Sequence, residues 1–184
     1  MREISLSRRM LLRSLELIGD FREAKKREVM YIEIVVDNLQ IEITRYLWGI
    51  SCGELGPTLS QRLFAYSSTV YDIERIADRA TNIVELAESK FKRDSLFSDA
   101  AHGELRQIGA LVMQSVDDVI LLLERPLNER SRAILHRKIE IERLVRQAVA
   151  QHLERFYKRV CRAEAGPMFV DMLVNLERIS EHCN

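Results

Sequence analysis

Apolar residues recur at steps of three and four through nearly the whole chain, a phase that suits amphipathic helices. Val29, Ile32, Val36, Leu39, Ile43 and Tyr46 follow it, as do Leu59, Leu63, Tyr66, Val70, Ile73, Ala77, Ala80, Val84 and Ala87. Leu105, Val112, Val116, Val119 and Leu123 form a third stripe with a gap at Gly109. Ile134, Ile141, Val145 and Ala148 form a looser fourth, and Phe169, Leu173, Leu176 and Cys183 a fifth. Met10, Leu11, Leu15 and Ile18 open a sixth. Only 7 Gly and 3 Pro occur among 184 residues, too few for the turns of a β-sandwich or barrel. The spacing predicts six helices packed as bundles, an all-α fold.

Turn chemistry sets the expected breaks. Gly19-Asp20 ends the first helix, Gly49 to Pro57 forms a loop, and Ser98-Asp99 resembles an N-cap. Pro126 with Asn128 separates the fourth helix from the fifth, and Gly166-Pro167 opens the sixth. The six helices divide into two sets of three. Tyr71-Asp72-Ile73-Glu74-Arg75-Ile76-Ala77-Asp78 returns as Val174-Asn175-Leu176-Glu177-Arg178-Ile179-Ser180-Glu181, and a Gly-Pro precedes each copy. The second copy is one heptad shorter between its proline and its glutamate, a deletion that preserves helical phase. An internal duplication follows: two tandem three-helix bundles, residues 1–95 and 96–184.

Bulk properties exclude several functions. The 28 Lys and Arg balance 28 Asp and Glu, so no net charge draws the chain to nucleic acid. Hydrophobic residues reach 47%, enough for a core, yet no stretch has the uninterrupted apolar length of a membrane span. Cys52, Cys161 and Cys183 are isolated and odd in number, which reads as free thiols in a reducing compartment.

The acids carry the chemical signal. Glu74 and Asp78 stand one turn apart, each directly after a seam residue, and so do Glu33 and Asp37 after Ile32 and Val36. Glu177 and Glu181 repeat the relation after Leu176 and Ser180. Stacked carboxylates repel unless they protonate or share a cation, whereas a solvated flank pairing with Arg75, Arg79 and Arg178 is the plain alternative. Phosphate-loop, dinucleotide and His-Glu-x-x-His motifs are absent, and no histidine stands three residues after a glutamate as a di-iron bundle requires. Asp99 and His102 have the spacing at a helix start, where they read as a cap. His152 reads as a packed core residue. No nucleophile, base and orienting group assemble, so no enzyme is expected.

Asp72-Ile73-Glu74-Arg75-Ile76-Ala77-Asp78 with Asn82-Ile83, and its partner Asn175-Leu176-Glu177-Arg178-Ile179-Ser180-Glu181-His182, resemble the signature of PhoU proteins. The resemblance covers essentially the whole chain. The segments Gln40 to Leu47 and His152 through Arg155 and Cys161 to Asp171 look most like the PhoU-like domain of bacterial Na⁺/phosphate cotransporters. It implies a cytoplasmic regulatory domain at the inner face of the membrane, taking part in phosphate uptake. A membrane transporter domain and a sensor kinase are the implied partners. The alternative is a free-standing negative regulator of phosphate import and signalling. Bundles of this kind often pair, so a homodimer joins the partner expectations, although no unexplained apolar stripe in the sequence demands one.

In some members of the family such acids bind multinuclear iron or zinc. Carried across, the implied ligands are Glu33, Asp37, Glu74 and Asp78 in the first half and Glu142, Glu177 and Glu181 in the second. Lys138 stands where the counterpart of Glu33 belongs, and Glu181 replaces the usual aspartate. The first helix is short for the family, as expected of a domain preceded by a membrane segment.

Overall fold

A computed structural model describes residues 1–53, 55–125, 127–159 and 164–184. These residues form six α-helices: α1 (Arg2–Gly19), α2 (Glu23–Ser51), α3 (Pro57–Lys92), α4 (Asp99–Glu124), α5 (Asn128–Tyr157) and α6 (Ala165–His182). Strands are absent among the described residues. Helices α1, α2 and α3 pack on one another, as do α4, α5 and α6, and the two groups meet through α1 against α4 and α3 against α6. One continuous hydrophobic core runs through both.

The local signals act as expected at most helix ends. The Ser98 hydroxyl accepts from the Ala101 amide and caps α4. Gly19 is the last residue of α1, and Pro167 lies in the first turn of α6. Helix α2 continues to Ser51, so the expected loop from Gly49 is shorter than its glycines suggest. The helix's own hydrogen bonds tolerate Gly49 inside the last turn. Pro126 and Cys161 lie outside the described residues. Cys52 is exposed and Cys183 buried, its thiol pushed up to about 12 by burial.

Matching parts of the two halves face each other where they join. Asp72 meets the Nδ1 of His182 at 3.0 Å, and the Asn82 amide donates to Asn175 at 3.3 Å. Asp72 and Asn175 occupy corresponding positions in the two sequence copies. Where α1 crosses α4, the gap at Gly109 has a purpose. A Cβ there would stand 2.7 Å from Leu15 Cδ2, so the missing side chain admits the leucine. Gly109→Val is expected to lower stability by about 1–3 kcal/mol through overpacking. Gly109→Ala stays near neutral, because the leucine tip can rotate and alanine gains about 1 kcal/mol of helix propensity. Urea unfolding of both variants checks this.

The three-four stripes overreach at two places, the distal ends of α2 and α3 and the end of α4. Tyr46, Leu59, Tyr66 and Leu123 belong to the seams by spacing but are exposed. For the first three the cause is length. Helix α1 spans about 27 Å, whereas α2 and α3 span about 44 and 54 Å. Helix α1 runs alongside α3 from the level of Glu74 to that of Lys90, whose ammonium donates to the Ile18 carbonyl at 3.1 Å. The distal ends of α2 and α3 continue past it as a two-helix hairpin. Along that hairpin the only fully buried position between Val36 and Val70 is Leu63, among the described residues. An apolar surface is thus left uncovered, contrary to the expectation from the sequence.

Candidate metal centre

The acids of the first half converge because α2 and α3 pack with their seams in register. Burying Ile32 and Val36 against Ile73 and Ala77 brings the residue that follows each seam position to the same margin. One oxygen each from Asp37, Glu74 and Asp78 lies within 4.8 Å of the others. Arg75 partly neutralises the group: its Nη1 donates to Asp78 Oδ2 at 2.8 Å, and its Nε stands 3.1 Å from Glu74 Oε2. That Glu74 oxygen is buried and accepts no hydrogen bond.

The electrostatics are those of unbalanced, half-buried acids. Burial and the nearby Asp78 push the Glu74 carboxyl up to about 7 against the pull of Arg75. Burial, then Asp37 and Asp78, raises Glu33, so this fourth carboxylate sits at the edge of the same group. Burial and Asp78 also raise Asp37. Four acids against one arginine leave an excess of negative charge.

These residues fit a cation. The donors are all carboxylate oxygens, which suit hard cations that accept oxygen ligands, iron and manganese among them. Zinc prefers nitrogen and sulfur donors, and among the described residues no histidine or cysteine joins the three acids.

The second half is arranged differently. Glu142 pairs with Lys138 at 3.2 Å, and Glu181 accepts from Arg178 at 2.6 Å. Glu177 is raised chiefly by burial, then by Glu181 and Glu142, with Arg178 and Arg146 opposing. Among the described residues the three acids do not gather within reach of one ion.

One acid of this region was missed from sequence. Glu3 on α1 is 3% exposed, and its Oε1 is buried without a hydrogen-bond partner. Burial pushes it up to about 7, with Glu74 adding repulsion. The signal was available: Glu3, Ser7, Met10, Ser14 and Leu17 step by four, three, four and three, and all are buried.

Other titratable groups pack away from the acids. His102 lies beside the ring of Phe97, and His152 is buried against Phe169. Burial lowers both histidines. Glu104 receives two 2.7 Å hydrogen bonds from Arg155.

Residues 1–87 match the PhoU domain family. That segment contains Glu3, Glu33, Asp37, Glu74 and Asp78; Glu142, Glu177 and Glu181 lie beyond it. The crystal structure of PhoU from Pseudomonas aeruginosa is similar, with a TM-score of 0.90 and 18% sequence identity, covering 99% of this chain and 87% of that one. At that identity the likeness establishes the fold, a PhoU-like helical bundle. No curated protein matches the chain. No helix among the described residues is long and apolar enough to cross a membrane.

Proposed function

We propose that the chain, whose residues 1–87 carry a PhoU domain, is a regulatory module of phosphate uptake whose first half responds to a bound cation. The observation that carries the cation reading is the convergence of Asp37, Glu74 and Asp78 inside that domain, with Glu33 at its edge. The two three-helix groups are the two copies of a duplicated unit, divided near residue 95. Only the first copy binds. In the second, Glu142 and Glu181 are each paired along their own helix, with Lys138 and with Arg178.

The module acts on a transporter rather than as one, since nothing described here spans a bilayer. In its narrower form it is the cytosolic domain of a Na⁺/phosphate cotransporter, a reading that rests on the segments Gln40 to Leu47 and His152 to Asp171. The alternative is a free-standing negative regulator working through a transporter and a sensor kinase. Its support is the near-complete overlap with the Pseudomonas fold. Binding and regulation account for the acids without a catalytic step.

Elemental analysis of protein purified without chelator or metal-affinity resin tests the cation site, beside Asp78→Ala and Glu181→Ala. The expected result is stoichiometric metal, iron before zinc, in the wild type and in Glu181→Ala, with at least about a tenfold loss in Asp78→Ala. Absence of metal from the wild type after reconstitution with iron, zinc and manganese refutes the site. Phosphate uptake by cells that carry or lack the chain tests the regulatory role, and equal uptake in both refutes it.

A further inference from the structure

Where the two halves meet, α1 and α4 run antiparallel: Arg8 pairs with Asp117, and further along Leu15 faces Gly109. Beside this crossing lies a cavity of about 550 Å³, a volume usual for small-molecule sites. Its lining contains none of the acids of the cation site. The antiparallel register divides it into two ends. Leu12 of α1 stands with Ala110 and Met113 of α4 at one, and His102 and Arg106 of α4 stand with Lys25 of α2 at the other.

The polar end has one cation to spare. Lys25 is paired with Glu16 at 2.7 Å, and Asp20 is paired with Arg22 at 2.6 Å. Among the described residues no carboxylate forms an ion pair with Arg106. His102 stands one turn from Arg106 on the same helix face. Burial, then Lys90 and Arg106, lower His102 with Asp99 opposing, so the field at this end is positive.

We propose that the cavity binds a small aliphatic acid, its carboxylate at Arg106 and His102 and its chain lying towards Leu12 and Met113. An arginine meets a carboxylate with two parallel charge-assisted hydrogen bonds, and a neutral imidazole beside it can donate a third. The apolar end suits a flexible chain: leucine and methionine adapt to an aliphatic body, and among the described lining residues none offers a phenyl or indole ring for stacking. From Arg106 to Met113 the helix advances about 10 Å. At about 1.2 Å per bond of an extended chain, that length matches an acid of about eight to ten carbons. Inorganic phosphate would meet the cation but leave the apolar end wet. A ligand seated here touches α1 of the first half and α4 of the second, so it ties the halves together and favours the folded chain.

Isothermal titration calorimetry of the whole chain with octanoate, octanol and inorganic phosphate tests this, for the wild type, Arg106→Gln and Ala110→Phe. The wild type is expected to bind octanoate at least about tenfold more tightly than octanol, since only the acid gains a charge-assisted pair. Arg106→Gln is expected to remove that preference and leave octanol binding unchanged. Ala110→Phe, which fills the apolar end, is expected to weaken acid and alcohol alike by at least about tenfold. Both positions are exposed, so the helical circular dichroism stays unchanged. Absence of octanoate binding by the wild type at about 1 mM overturns the proposal. So does octanol binding as tightly as octanoate, or either variant binding octanoate as the wild type does. Phosphate that binds and displaces octanoate also overturns it, and assigns the polar end to an inorganic anion.

Discussion

In the presence of chelator, the wild type is expected to lose on the order of 3 kcal/mol of stability relative to Glu3→Gln as the pH rises from about 5 to about 8. Glu3 is enclosed by the apolar faces of the first bundle with Glu74 nearby, so its folded-state carboxyl titrates at about 7 against an ordinary 4.5. Between these values the folded chain binds a proton that the unfolded chain has released. Stability is therefore complete at low pH and falls as the pH rises towards and through 7. Glutamine has the same shape and cannot ionise, so Glu3→Gln loses this dependence and is the more stable protein at pH 8.

Two other sets of groups bear on the same curve. Glu74, also raised to about 7, contributes a further fall of the same sign. His102 and His152 are lowered by burial and act in the opposite direction below about 6.5, which is why the comparison uses the variant and not the raw profile. Chemical denaturation at half-unit pH steps measures it, and parallel curves for the two proteins refute it. Adding the cation that fills the Asp37, Glu74 and Asp78 site at pH 8 is expected to restore part of the loss in wild type, as binding to the folded state must.

Phe169→Ala is expected to cost about 3–5 kcal/mol, the range for removing a fully enclosed aromatic ring. Phe169 is 0% exposed and closes the core of the second bundle from α6. Phe97 meets its ring edge-on at 5.8 Å between centroids, His152 lies 5.0 Å away, and the Arg155 guanidinium stands 5.9 Å from its centre. Arg155 is in turn tied to Glu104 by two hydrogen bonds. Removing the ring leaves a void and also uncovers a partly buried ion pair and a buried imidazole, so the cost belongs at the upper end of that range. Phe169→Leu, which keeps most of the volume, is expected to lose less than half as much. Thermal and urea unfolding of the two variants separate packing from polarity. Equal losses would mean that the ring matters for its neighbours' geometry and not for its volume.

Much of the architecture could be read from spacing because helices express burial locally. Ile73, Ala77, Ala80, Val84 and Ala87 face inward for the reason their period indicates, and Ser98 caps α4 with a side chain that says so. The acid group was partly legible in the same way. A carboxylate that directly follows a seam residue must stand at the margin of the bundle, and on α2 and α3 such acids meet. Glu3 escaped notice because a lone charged residue reads as surface, though its phase with Met10 and Leu17 placed it inside. The exposed tip escaped for the converse reason: periodicity records which face a helix prefers to bury, and not whether anything is there to cover it.

What the sequence determined by itself was therefore directional: six amphipathic helices, their turns, a repeated motif, and the side of each helix on which acids stand. Those features follow from the 3.6-residue turn and the chemistry of caps and glycines, which act within a few residues. Only the tertiary structure decided distances between helices. It set α1 too short to cover the ends of α2 and α3, and it seated Leu15 against Gly109. It brought Asp37 of α2 to Glu74 and Asp78 of α3 within reach of one ion, while among the described residues Glu142 of α5 and Glu177 and Glu181 of α6 form no such group. Whether like charges gather or are neutralised depends on which side chains packing brings within a few ångströms, and no local pattern along one helix contains that information.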